Sequence, residues 1–162
     1  MTTDSNNHST ILLPVDFTQI GRRESVPAMS LGENRYRLLA SPGLAGGFAE
    51  GDEVEQTSNG YRLIQRSGNV CVQISFEFII NEEGVRSVSQ LVANAGGFLD
   101  GGRDGNPGSL LVVNFPITVG FPTMEMTVRR IAAIYPIETW MYGNIHDADG
   151  VTLLNWWLGD EK

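Results

Sequence analysis

Lysine is almost missing from this chain. Ten of its 11 basic residues are Arg, and the one Lys is Lys162. Cysteine is as scarce: Cys71 stands alone, so no intrachain disulfide can form and nothing points to an oxidising compartment. The two histidines, His8 and His146, give little material for acid–base work. There is no Gly-x-Ser-x-Gly elbow, and a Cys or Ser triad would have to recruit His146 from a turn, which leaves no catalytic constellation. No stretch approaches the roughly 20 apolar residues of a membrane span. The N-terminus lacks the cationic patch and apolar run of a signal peptide. A cytoplasmic protein without a cofactor is the expectation.

What the chain does have is acid. It holds 162 residues, 19 Asp and Glu, and a formal charge of −8. That length fits one domain, and a hydrophobic content of 41% is enough for a core. A surface of this sign repels nucleic acid and anionic membranes, which excludes both as partners, and it suits a basic protein. Met1–Thr10 is polar and aperiodic and reads as a disordered tail.

Organisation changes at about residue 70. Over 11–69, short apolar runs at Ile11–Phe17, Arg35–Ala40, Asp52–Gln56 and Tyr61–Arg66 alternate with turn signals such as Ser58-Asn59-Gly60. This predicts a small antiparallel, barrel-like unit. Over 70–162, Val70–Ile80 reads as a long strand. Val85, Val88, Leu91, Val92 and Ala95 recur at helical spacing up to Gly96-Gly97. Phe98–Leu99 starts a short strand, Asp100–Ser109 reads as a glycine-rich loop, and Leu110–Phe115 as a strand. A second helix is expected from Pro122 to Ile134, capped by Thr123 and presenting Met124, Thr127, Val128 and Ile131 inward. Ile137–Ile145 and Val151–Leu158 read as strands, with Asp149-Gly150 in a hairpin turn. The order is that of a ferredoxin-like split βαβ unit with two helices on one face of the sheet, giving an α+β fold packed as one compact unit.

The run Ser41–Glu55 carries Gly43, Gly46, Gly47 and Gly51 and then turns acidic. A phosphate loop needs a cation and a helix start to meet the anion. Here acids and a strand follow, so the run reads as a turn. The stretches Glu33-Asn34-Arg35-Tyr36-Arg37-Leu38, Gly43-Leu44-Ala45 and Glu50-Gly51-Asp52-Glu53-Val54-Glu55 resemble a bacterial family known as a domain of unknown function. The resemblance covers about residues 11–145. It implies a ferredoxin-like second half and supplies no catalytic residues. In general build, though not in motif, the chain is similar to immunity proteins that neutralise bacterial toxins.

The candidate partner-binding residues are Glu50, Asp52, Glu53 and Glu55, the densest acidic cluster. To them are added Asp147 and Asp149 in the late turn and the adjacent Trp156 and Trp157. On a strand two neighbouring Trp point to opposite faces, so one is expected in the core and one at an interface. His146-Asp147-Ala148-Asp149-Gly150 lacks the further oxygen ligands of a calcium loop, so no metal site is expected. The leading expectation is a non-enzymatic acidic binding protein, most specifically an immunity protein that masks a basic toxin. The alternatives are a small-molecule-binding or regulatory module and, third, an enzyme. A homodimer paired through Val151–Leu158 is a further expectation.

Overall fold

A computed structural model describes residues 8–15, 22–147 and 149–159. Positions 1–7 of the expected tail and Asp16–Phe17 of the first expected strand lie outside the described residues; His8–Thr10 are strand. The first half is an antiparallel meander of five strands in sequence order: β1 (His8–Pro14), β2 (Arg23–Gly32), β3 (Arg35–Leu38), β4 (Glu53–Thr57) and β5 (Gly60–Gln65). Alternation builds it. Ile11, Leu13, Val26, Ala28, Leu38 and Val54 point inward and are buried, together with Ala45. Each of the larger aliphatic side chains contributes roughly 1.5–3 kcal/mol by leaving water. The sheet is open rather than closed into a barrel. β2 falls where no strand was expected, because Pro27 sits in its middle and has no N–H for the ladder. The strand tolerates it, and the Pro27 carbonyl still accepts from the Leu39 amide at 2.9 Å.

The second half keeps the expected order of strands and helices from Asn69 to Tyr142. β6 (Asn69–Phe76), α1 (Glu82–Asn94), β7 (Phe98–Asp104), β8 (Ser109–Pro116), α2 (Phe121–Ile134) and β9 (Ile137–Tyr142) form an antiparallel sheet in the order β7-β8-β6-β9. This is the split βαβ arrangement. Both helices bury their stripes on one face, against Val70, Val72, Ile74 and Phe76 of β6. The inner stripe of α2 is the expected one: Met124, Thr127, Val128 and Ile131 are all buried. Asn81 caps α1 by accepting from the Gly84 amide at 2.8 Å.

Four further expectations are corrected. Helix α2 starts at Phe121 with Gly120, not Thr123, as its cap; Thr123 lies inside the helix, and its carbonyl accepts from the Thr127 hydroxyl. Strand β6 stops at Phe76, short of Ile80. Gly101 and Gly102 lie in a strand, because β8 pairs with β7 over its length and overrides the loop-like composition. Val151–Leu158 is not a strand either. His146 and Leu153 form an isolated bridge, Asn155 turns left-handed at φ 56°, and Trp156–Leu158 form a 3₁₀ turn. The edge on which a homodimer was expected to pair is therefore absent from that segment.

Segment 39–52, the connection from β3 to β4, packs on the face of the second sheet opposite the helices. There Ala49, Cys71 and Val112 form a small buried cluster. The Pro42 carbonyl accepts from Gln73 Nε2 at 3.1 Å, and the Gly47 amide donates to the Gly143 carbonyl at 2.7 Å. A sheet whose one face holds helices thus has its other face closed by a loop, and the fold is α+β throughout.

Candidate functional site

The glycine-rich segment does hold an anion, and the anion is the chain's own. The amides of Gly43, Leu44 and Ala45 donate to the Glu24 carboxylate at 2.7, 2.7 and 2.9 Å. Successive N–H groups turned to one point make an anion nest, and here Glu24 of β2 fills it. Nearby, the Asp100 carboxylate accepts from the Ser41 amide at 2.5 Å and from Asn114 Nδ2 at 2.8 Å. These bonds fasten the segment to both sheets.

Asp52 belongs to the same fastening. It is fully buried and accepts from the Ala49 and Ser67 amides at 2.9 and 2.8 Å. The Arg66 guanidinium lies 3.6 Å away. Burial nevertheless dominates and pushes the carboxyl above its ordinary value. Arg66 also donates to the Gly47 carbonyl at 2.6 Å and lies over the Trp156 ring at 5.5 Å. The Trp156 indole N–H donates to the Asn144 carbonyl at 2.9 Å, which places that ring in the interior.

The expected contact residues therefore separate. Asp52 and Trp156 are buried and present no surface. Glu53 pairs with Arg37 at 2.8 Å, and Glu55 with Arg62 at 3.1 Å and Arg35 at 3.9 Å. Glu50 is half-buried and accepts from Asn69 Nδ2. Burial is the first cause of its raised pKa, with the Asp100 and Asp52 charges adding to it. Asp149 is exposed, but its carboxylate closes its own turn on the Val151 and Thr152 amides and the Thr152 hydroxyl. Those bonds hold it down to about 2. Asp147 is exposed in the same turn. Trp157 is half-buried, edge-on to Phe121 at 5.2 Å. The acidic run and the late segment are linked in the interior, where Arg66 reaches both Asp52 and the Trp156 ring.

A different acidic surface emerges at the end of the second sheet, where three connections meet: 77–83, 104–109 and 134–138. The Ser109 amide donates to the Phe78 carbonyl at 2.9 Å, and Phe78 stacks on Tyr135 at 6.3 Å. Gly108 is essential to the fit, since a Cβ there would stand 2.1 Å from the Phe76 carbonyl oxygen. The three connections carry Glu77, Glu82, Glu83, Asp104 and Glu138 and neither Arg nor Lys. On the same connections Ile79 and Ile134 are 50% and 56% exposed. Sequence reading missed this pole because its members come from three segments far apart in the chain.

Two clefts flank β7. One, of about 750 Å³, lies under α1 on the helix face, and one of about 190 Å³ lies against β2 on the opposite face. Among the described residues no group of three His, Cys, Asp or Glu is placed to hold a metal ion. Among them, too, no helix is long and apolar enough to cross a membrane. Cys71 is buried, and desolvation pushes its thiol up to about 12.

Residues 24–133 match the family described as Domain of unknown function (DUF4265). The chain belongs to that family. The DUF4265 match runs from β2 into α2, so it includes the Glu24 nest, both clefts and most of the acidic pole. No curated protein is similar to the chain. The fold also resembles the crystal structure of a hypothetical protein from Neisseria gonorrhoeae. The TM-score is 0.58 at 15% identity, over 87% of this chain and 96% of that one. A likeness at that identity speaks for the fold alone.

Proposed function

We propose that this DUF4265 protein is a non-enzymatic binding protein that docks a basic protein partner, and that a bacterial toxin domain, masked as immunity proteins mask theirs, is the partner class that fits best. The observation carrying the reading is that three connections joined through Phe78 carry Glu77, Glu82, Glu83, Asp104 and Glu138 together with the exposed Ile79 and Ile134. Exposed apolar side chains on a charged surface are what a protein interface needs: burial supplies affinity and the charges steer the encounter. The net charge of −8 adds attraction at longer range.

The test is titration with basic domains encoded beside the gene. Binding is expected to weaken steeply with salt, since the screening length falls from ~30 Å at 0.01 M to ~8 Å at 0.15 M. The absence of any salt-sensitive association with those domains would count against the reading.

A further inference from the structure

We propose that the free edge of β7 takes up an extended basic segment of a protein partner by strand addition. β7 ends the four-stranded sheet, with β8 on one side only. Its bulge lies between Leu99 and Gly101, which leaves Gly101–Asp104 in regular register with Val112–Ser109. Gly101 and Gly102 put no side chain over the edge, and a Cβ at Gly101 would meet nothing within 4 Å.

The two clefts lie on opposite faces of this same stretch. On the helix face Val85, Leu99 and Leu111 make an apolar floor beside Arg86; on the other, Pro27 and Leu110 line a smaller space beside Glu24. A strand sends successive side chains to opposite faces. A segment added to β7 would therefore place a large apolar side chain in the 750 Å³ cleft and its neighbours towards the 190 Å³ one. Peptide recognition by strand addition has this form, with main-chain hydrogen bonds for affinity and pockets for alternate side chains. Around the two clefts stand Glu24, Glu82, Asp100 and Asp104 against Arg86 and Arg103, so acid prevails. Asp104 belongs to the acidic pole as well, which makes the groove continuous with it. The basic sign of the segment rests on the reading of a basic partner; the strand addition rests on β7.

The test uses the full chain, ¹⁵N-labelled, with three probes. They are acetyl-Lys-Val-Lys-Leu-Lys-Val-Lys-amide, the same peptide with Glu for every Lys, and the Lys peptide with every amide N-methylated. The Lys peptide is expected to shift the amides of Phe98–Asp104. N-methylation is expected to weaken it about tenfold or more, as losing two or more hydrogen bonds of ~1 kcal/mol would. Gly101→Leu, which fills open space, is expected to weaken it as well without unfolding the chain. Silence at β7, or an N-methylated peptide that binds as well, overturns strand addition; the latter points instead to a compact ligand in the cleft. Neither result touches binding of a basic domain at Glu77 and Glu138. Equal binding of the Glu peptide overturns the basic sign of the added segment.

Discussion

Asp52 shows how far local sequence reading reaches at the scale of a residue. It stands in the densest acidic run, yet its backbone position turns it inward, where it holds the Ala49 and Ser67 amides. Its carboxyl lies above the ordinary 3.8, with burial the first cause. Ionisation thus costs more in the folded chain than in the unfolded one. The contribution of the group to stability is full below 3.8 and is lost as pH rises through the folded value. Asp52→Asn leaves one amide poorly paired and costs about 1–3 kcal/mol, but it removes that slope. The variant is therefore expected to fall furthest below the parent at acid pH. Urea midpoints measured from below pH 3.8 upward are expected to show the two converging; parallel curves would refute the assignment. Cys71 lies in the apolar run Val70–Ile80 that reads as a strand, and its thiol is buried. Its thiolate forms only near pH 12, so a disulfide reagent is expected to label it at neutral pH only after unfolding. Rapid labelling of the native chain would contradict this burial.

Among the elements, those with a strong period were readable and those defined by a partner were not. The α2 stripe and the apolar run of β8 announce themselves within one segment. β7 does not, since Gly101 and Gly102 are strand only because β8 lies alongside. Val151–Leu158 erred the other way. Its apolar residues suit a strand, but the Trp156 indole finds the Asn144 carbonyl and draws the chain onto the core. The acids of β4 looked available because the register that sets Glu53 and Glu55 opposite Arg37 and Arg35 cannot be read from spacing. Two glycines give a contrast at this scale. Gly108→Ala drives a methyl into the backbone of Phe76 and Phe78 and is expected to cost about 2 kcal/mol or more and to loosen 77–80. Gly101→Ala meets nothing within 4 Å and is expected to stay within about 1 kcal/mol of the parent. Thermal melts of the two variants decide this, and equal melting points would contradict the close packing at Gly108.

Across the whole molecule, charge is divided by use. Arg35, Arg37, Arg62 and Arg66 all face acids of the first half. The surface pairs made by Arg35, Arg37 and Arg62 are worth ~0–1 kcal/mol each, so they neutralise that surface more than they stabilise it, whereas Arg66 meets the buried Asp52. Glu77, Glu82, Glu83, Asp104 and Glu138 lie where the turns of the ferredoxin-like half meet, with Arg86 and Arg103 beside Glu82 and Asp104 in the cleft there. The net charge was plain in the composition; its place was not, because only the assembled fold brings Glu77, Asp104 and Glu138 together. The most direct measurement compares two double charge reversals against one basic partner domain at low salt. Glu77→Lys with Glu138→Lys is expected to weaken binding about tenfold or more, as like charges facing each other across an interface do. Glu53→Lys with Glu55→Lys is expected to change it far less. The opposite ranking would return the footprint to the acidic strand and contradict the account.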